Sequence, residues 1–122
     1  MSVSTKKFGE EGENIAADLL SQKGYEIIKR NYRFGKGEID IIAEDKEKDC
    51  LVFVEVKARR NLEYGEPEYA ITKSKIRQLK KIAAAYLSEN EIEDKDCRFD
   101  VVAILFQGKR KPIINHYEEA FY

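Results

Sequence analysis

One eight-residue run limits the folds open to this chain. In Leu51-Val52-Phe53-Val54-Glu55-Val56-Lys57-Ala58, alternation puts Leu51, Phe53, Glu55 and Lys57 on one face of an extended strand and Val52, Val54, Val56 and Ala58 on the other. Both faces are largely apolar, so the run reads as a central strand. An acid and a lysine in such a strand need partners, because burying a charge is costly unless something pairs with it.

The run before it supplies a partner. If Lys46-Glu47-Lys48-Asp49 forms the turn, Asp45 faces Cys50, Asp40 faces Glu55 and Glu38 faces Lys57. Directly opposed Cβ atoms lie about 5 Å apart. Two carboxylates so close repel, and one takes up a proton unless a cation sits between them. Hard divalent ions such as Mg²⁺ favour this arrangement, with waters and substrate phosphate oxygens completing the shell. Asp40 and Glu55 are therefore candidate metal ligands. Lys57, one step along the same face, could orient a water or stabilise charge developing on a phosphate. The plainer alternative is an ordinary strand charge pattern with a Glu38–Lys57 salt bridge.

The rest of the chain supplies a sheet with helices packed on it. Ile15, Ala16, Leu19 and Leu20 recur at helical spacing within Phe8 to Lys23, and Gly24 stands where a C-cap would be. Strands are expected at Tyr25 to Phe34, Glu38 to Glu44 and Leu51 to Ala58, the consecutive ones antiparallel. A second helix from about Thr72 to Glu89 carries a stripe of Ile76, Leu79, Ala83, Tyr86 and Leu87, with Thr72 or Ser74 as N-cap. Strands at Arg98 to Phe106 and Ile113 to Tyr117 complete an α/β order αβββαββ.

The 122 residues suit a single domain spanning 1–122. Neither a signal peptide nor a membrane span is expected, and isolated Cys50 and Cys97 argue against a zinc site or a disulfide framework. The expected compartment is cytoplasmic. Net charge is −1, yet basic residues are segregated. Lys29, Arg30, Arg33 and Lys36 form one stretch free of acids, and Lys73, Lys75, Arg77, Lys80 and Lys81 another, while acids crowd Glu89 to Asp96. Such patches can attract phosphates despite a neutral total, although each alone also fits a solvated face.

Gly12-Glu13-x-x-Ala16, Gly24-Tyr25, Asn31-Tyr32-Arg33, Gly37-Glu38-Ile39-Asp40, Phe53-Val54-Glu55-Val56-Lys57-x-Arg59, Tyr64-Gly65, Ile71-Thr72-x-x-Lys75 and Arg98-Phe99-Asp100-Val101 together resemble the YraN-like family of bacterial proteins. That family is described as predicted endonucleases of the restriction-endonuclease-like PD-(D/E)xK superfamily, similar to archaeal Holliday junction resolvases. The resemblance runs nearly end to end. It implies a mixed β-sheet flanked by helices, Asp40 and Glu55 as metal ligands, Lys57 as the catalytic lysine, and Glu13 reaching the same site from the first helix. Ile39 stands where the motif's proline would precede the aspartate.

Arg59 and Arg60, just past Lys57, suit phosphate contact, as do Lys75 and Arg33. Tyr32, Phe34 and Tyr64 could stack on bases, with packing as the default. Asp100 is expected to cap or pair, Asn31 to bond backbone, and His116 to have no role. The expected function is a Mg²⁺- or Mn²⁺-dependent endonuclease acting on DNA, branched or flapped forms included, with a homodimer supplying two sites for two strands. The competing readings are a nucleic-acid-binding module without turnover and an interaction protein whose acidic pair holds a structural ion.

Overall fold

The run from Leu51 to Ala58 lies at the centre of a five-stranded sheet. A computed structural model of the protein describes residues 5–60 and 69–121; Tyr64 lies outside them. Helix α1 (Thr5–Gln22) is followed by strands β1 (Glu26–Phe34), β2 (Gly37–Asp45) and β3 (Cys50–Arg59). Helix α2 (Lys73–Glu89) then leads to β4 (Cys97–Gln107) and β5 (Arg110–Phe121), in the expected order αβββαββ. The strands lie side by side in chain order. Only β3 and β4 are parallel, as they must be when the connection between them carries a helix back across the sheet. Among the described residues no helix is long and apolar enough to cross a membrane.

Each face of the sheet has its own core. Ala16, Ala17 and Leu20 of α1 pack on Ile41, Ala43, Val52, Val54, Val102 and Ile104. Leu79, Ile82, Ala83 and Tyr86 of α2 pack on Ile42, Leu51 and Phe53. The two-faced apolar pattern of β3 is thus explained by helices on opposite sides, and Glu55 and Lys57 share the α2 face by alternation. Thr72 caps α2, its Oγ1 accepting from the Lys75 N–H at 3.1 Å. Gly12 lets α1 approach β3, since a Cβ there would lie 3.1 Å from that of Ala58.

Two elements exceed their sequence expectation. The first helix begins at Thr5 rather than Phe8, and the last strand runs Arg110–Phe121 rather than Ile113 to Tyr117. β5 is an edge strand, where one row of backbone groups needs no partner and Pro112 is tolerated. Its pairing with β4 therefore extends to Gln107↔Arg110, beyond the stretch that apolar alternation marks.

Candidate active site

The hairpin register places the carboxylates together. Asp45 pairs with Cys50 and Ile41 with Val54, so the same ladder carried one step on brings Asp40 to Glu55. There the side chain takes over from the backbone: Asp40 Oδ2 accepts the Val56 N–H at 2.8 Å. Asp40 and Glu55 are each only 9% exposed, and carboxyl groups brought together under cover favour the form in which one keeps a proton. Burial, then the hydrogen bond and charge of Glu55, raise the Asp40 carboxyl well above the carboxylate range, with Val56 and Lys75 pulling back in part.

A break in strand regularity brings β1 into the site. Arg30 pairs with Ile41 and Tyr32 with Ile39, yet Ile41 packs in the α1 core while Tyr32 and Ile39 pack in the α2 core. Residues two apart in a regular strand share a face. Asn31, at φ 54°, makes the switch; asparagine enters the left-handed region more readily than most side chains. Arg30 reaches Asn14 Oδ1 at 2.8 Å and Glu13 Oε1 at 4.0 Å. Glu13 is raised by burial and then by the charges of Asp40 and Glu38, against the opposing pull of Asn31 and Arg30. The electrostatic coupling joins Glu13 to the Asp40 cluster across the face switch.

Cations gather at the same end of the sheet. Lys75 Nζ lies 3.4 Å from Glu55 Oε2, a more intimate position than the phosphate-contacting surface role read from sequence. Lys57 Nζ donates to the Ala70 carbonyl at 2.6 Å, which ties it to the segment entering α2. Arg33 and Glu38 pair in the β1–β2 register with Nε and Oε2 3.7 Å apart. Glu38 Oε2 is enclosed with no hydrogen-bond partner. Arg59 is half-buried and Arg60 exposed at the end of β3.

The donor set fits a hard divalent ion. A cation between the buried Asp40 and Glu55 would relieve the repulsion that helps raise Asp40, and an enclosed Glu38 oxygen stands nearby in the chain. Among the described residues no group of three or more His, Cys, Asp or Glu forms a closed metal cage. A carboxylate pair is nonetheless what Mg²⁺ uses when it keeps waters and takes phosphate oxygens.

A second buried charge cluster lies on the α1 face of the sheet, and sequence reasoning reached only part of it. Arg98 bonds Asp100 through Nε at 2.8 Å, Asp45 through Nη1 at 3.0 Å and the Tyr25 hydroxyl through Nη2 at 2.7 Å. His116 Nε2 is 2.7 Å from Asp100 Oδ2, and its Nδ1 is 2.9 Å from Lys23 Nζ. A lysine there can only donate, so Nδ1 accepts and Nε2 carries the proton given to Asp100. Burial would raise Asp45 and Asp100, but hydrogen bonds to Arg98, and for Asp100 to His116, outweigh it and hold both below the usual range. Asp100 pairs structurally, as expected, whereas His116 has the buried role that a lone histidine near the C-terminus did not suggest.

Comparison with known proteins places the chain among sequences of no assigned activity. The model of "Uncharacterised protein family UPF0102" matches residues 12–104. A UPF0102 protein of Trichlorobacter lovleyi is 46% identical over 113 residues, covering 93% of this chain and 88% of the relative. One from Symbiobacterium thermophilum is 49% identical over 100 residues, 82% of this chain and 83% of the relative. Among solved structures, Pyrococcus furiosus SfsA in complex with Ca²⁺ is similar at TM-score 0.44 and 20% identity. That match covers 95% of this chain but 64% of SfsA, less than two thirds of its length.

Proposed function

We propose, for a chain that belongs to the uncharacterised protein family UPF0102, that it is a divalent-metal-dependent endonuclease hydrolysing phosphodiester bonds of DNA. The observation that carries the reading is the buried Asp40–Glu55 pair on the β2–β3 hairpin, with Lys75 3.4 Å from Glu55. Buried like charges are costly, and such strain concentrates where chemistry needs it.

Mg²⁺ or Mn²⁺ held by Asp40 and Glu55 would supply charge neutralisation at the scissile phosphate and a more acidic water. The chain's own groups do the rest. Val56 N–H fixes the Asp40 carboxylate, and Arg30 stands 4.0 Å from Glu13 on the first helix. Lys57, steadied by the Ala70 carbonyl, offers positive charge to the phosphoryl oxygens. An electrostatic role suits it better than that of a base, since a lysine is charged at neutral pH unless strongly shifted. In the hydrolysis a water oxygen bonds to phosphorus, the P–O bond to the leaving sugar breaks, and a proton passes to the departing oxygen. Lys75, Arg59, Arg60 and Arg33 lie at the same end of the sheet and would meet the DNA backbone. A homodimer would present two such sites to two strands.

One observation favours the second reading, a nucleic-acid-binding module without turnover: Glu55 already has an ammonium partner in Lys75. The two readings separate on labelled linear, flapped and four-way DNA, with RNA counterparts, incubated with Mg²⁺ or Mn²⁺. The nuclease reading expects cleavage that Asp40→Ala and Lys57→Ala abolish. Cleavage surviving both substitutions refutes it, and binding without cutting on every substrate selects the module.

A further inference from the structure

A cavity of about 280 Å³ lies between the β1–β2 turn and α2, lined by Phe34, Gly35, Lys36, Gly37, Gln78, Lys81 and Ile82. Its construction is specific. Ile82 forms an apolar floor, 1% exposed, while the Phe34 ring is 40% exposed at the rim. Gly37 keeps the space between strand and helix, since a Cβ there would come within 2.6 Å of Gln78 Nε2 and 2.8 Å of Ile82 Cδ1. Lys36 and Lys81 are exposed beside it, and among the described residues neither has an ion-pair partner. An exposed aromatic ring, a side-chain amide and two cations around a small apolar floor match a flat heteroaromatic ring attached to a phosphate.

The cavity also lies beside the carboxylates. Gly37 precedes Asp40 by three residues, roughly 10 Å of strand, and Gln78 lies one helical turn beyond Lys75, about 4.5 Å along α2. The volume falls below the roughly 300–1,000 Å³ of sites that take drug-sized ligands. It is the size of a small ring system such as a nucleobase.

We infer that this cavity takes the base of one unpaired nucleotide in a DNA strand whose phosphate lies at Asp40 and Glu55. Phe34 stacks on the base, Gln78 addresses its edge, and Lys36 and Lys81 meet the flanking phosphates. The assignment deepens the nuclease reading and rests on it for the position of the strand. It makes the preferred substrate one with unpaired nucleotides beside the cut.

The chain contains no tryptophan, so Phe34→Trp installs a single indole reporter at the rim. In EDTA, where no cleavage occurs, oligothymidylate should quench that indole and a fully paired duplex should not. Phe34→Ala should weaken single-strand binding about tenfold or more, the loss of one stacked base, leaving duplex binding and the melting temperature unchanged. Equal single-strand affinity in wild type and Phe34→Ala, with no quenching, overturns the pocket even where Mg²⁺-dependent cleavage is present. Thymidine monophosphate quenching as strongly as the oligomer overturns the strand assignment in favour of a free-nucleotide site. Quenching and a Phe34 effect without cleavage in any metal support the pocket while refuting the nuclease reading.

Discussion

Replacing Asp40 by asparagine should stabilise the metal-free protein, and should do so only at high pH. Asparagine has nearly the same shape, can accept the Val56 N–H through its carbonyl oxygen, and can donate to Glu55 without a titrating proton. In the wild type the Asp40 carboxyl is raised from 3.8 to about 8, by burial first and then by Glu55. The folded state therefore holds a proton that the unfolded state has lost, between about pH 4 and pH 8. Wild-type stability is full at low pH and falls as pH rises through that window. The whole shift corresponds to roughly 6 kcal/mol at about 1.4 kcal/mol per unit. Lys75 at 3.4 Å from Glu55 and relaxation of the pair absorb part, leaving an expected gain of about 2–4 kcal/mol for Asp40→Asn above the window.

Thermal melts followed by circular dichroism in EDTA, at about pH 5 and about pH 9, read this directly. At roughly 4 °C per kcal/mol for a domain of this size, the variant should melt about 8–16 °C above wild type at the higher pH and close to it at the lower. Mg²⁺ should raise the wild-type midpoint by linkage and leave that of Asp40→Asn unmoved. A variant no more stable than wild type at high pH, or equally displaced at both, would show that the two carboxyls do not share a proton in solution.

On the α1 face of the sheet, Asp100→Ala removes the acceptor for Arg98 and His116 and leaves a guanidinium buried without its main partner. Urea unfolding should show a loss of about 3–5 kcal/mol; a loss under about 1 kcal/mol would mean that the cluster is solvated. Lys75→Ala should raise Mg²⁺ affinity in calorimetry, because the ammonium competes with the ion for Glu55, while lowering cleavage about tenfold or more through loss of positive charge near the phosphate. A fall in Mg²⁺ affinity would assign Lys75 to holding the carboxylate in place instead.

The parts of this structure that sequence discloses are those governed by a short turn and a sharp period. The four-residue turn at Lys46 to Asp49 and the alternation in β3 fix the hairpin register by themselves, and Ile41↔Val54 follows the expected pairing. Helix α2 is legible from its apolar stripe and the Thr72 cap. The strand β5 is under-read because an edge strand needs apolar residues on part of one face only, and its exposed positions carry no period. Nothing local marks Lys75 as a partner of Glu55, since first-turn lysines usually face solvent and the contact depends on how α2 crosses the sheet. Asn31 is the hardest case: a left-handed residue inside a strand looks, in sequence, like an ordinary polar position. Yet it reverses the alternation of β1 and sends Arg30 to α1 and Tyr32 to α2.

The two buried charge clusters show why carboxylate content alone does not locate the site. Both faces of the sheet hold aspartates under cover. Asp100 and Asp45 are held below the carboxylate range because Arg98 places donors on both, with His116 completing Asp100. Asp40 is raised by burial first and then by Glu55, another acid. A chain that meets the desolvation cost of Asp100 with an arginine, a histidine and a backbone N–H, and leaves Asp40 against Glu55, has satisfied one cluster internally and left the other short of positive charge. The unsatisfied cluster is also where Lys57, Lys75 and the arginines converge and where the strand alternation is reversed. A divalent ion and a phosphate together would balance it as Arg98 balances the other, which ties the function of the carboxylate pair to the instability it imposes.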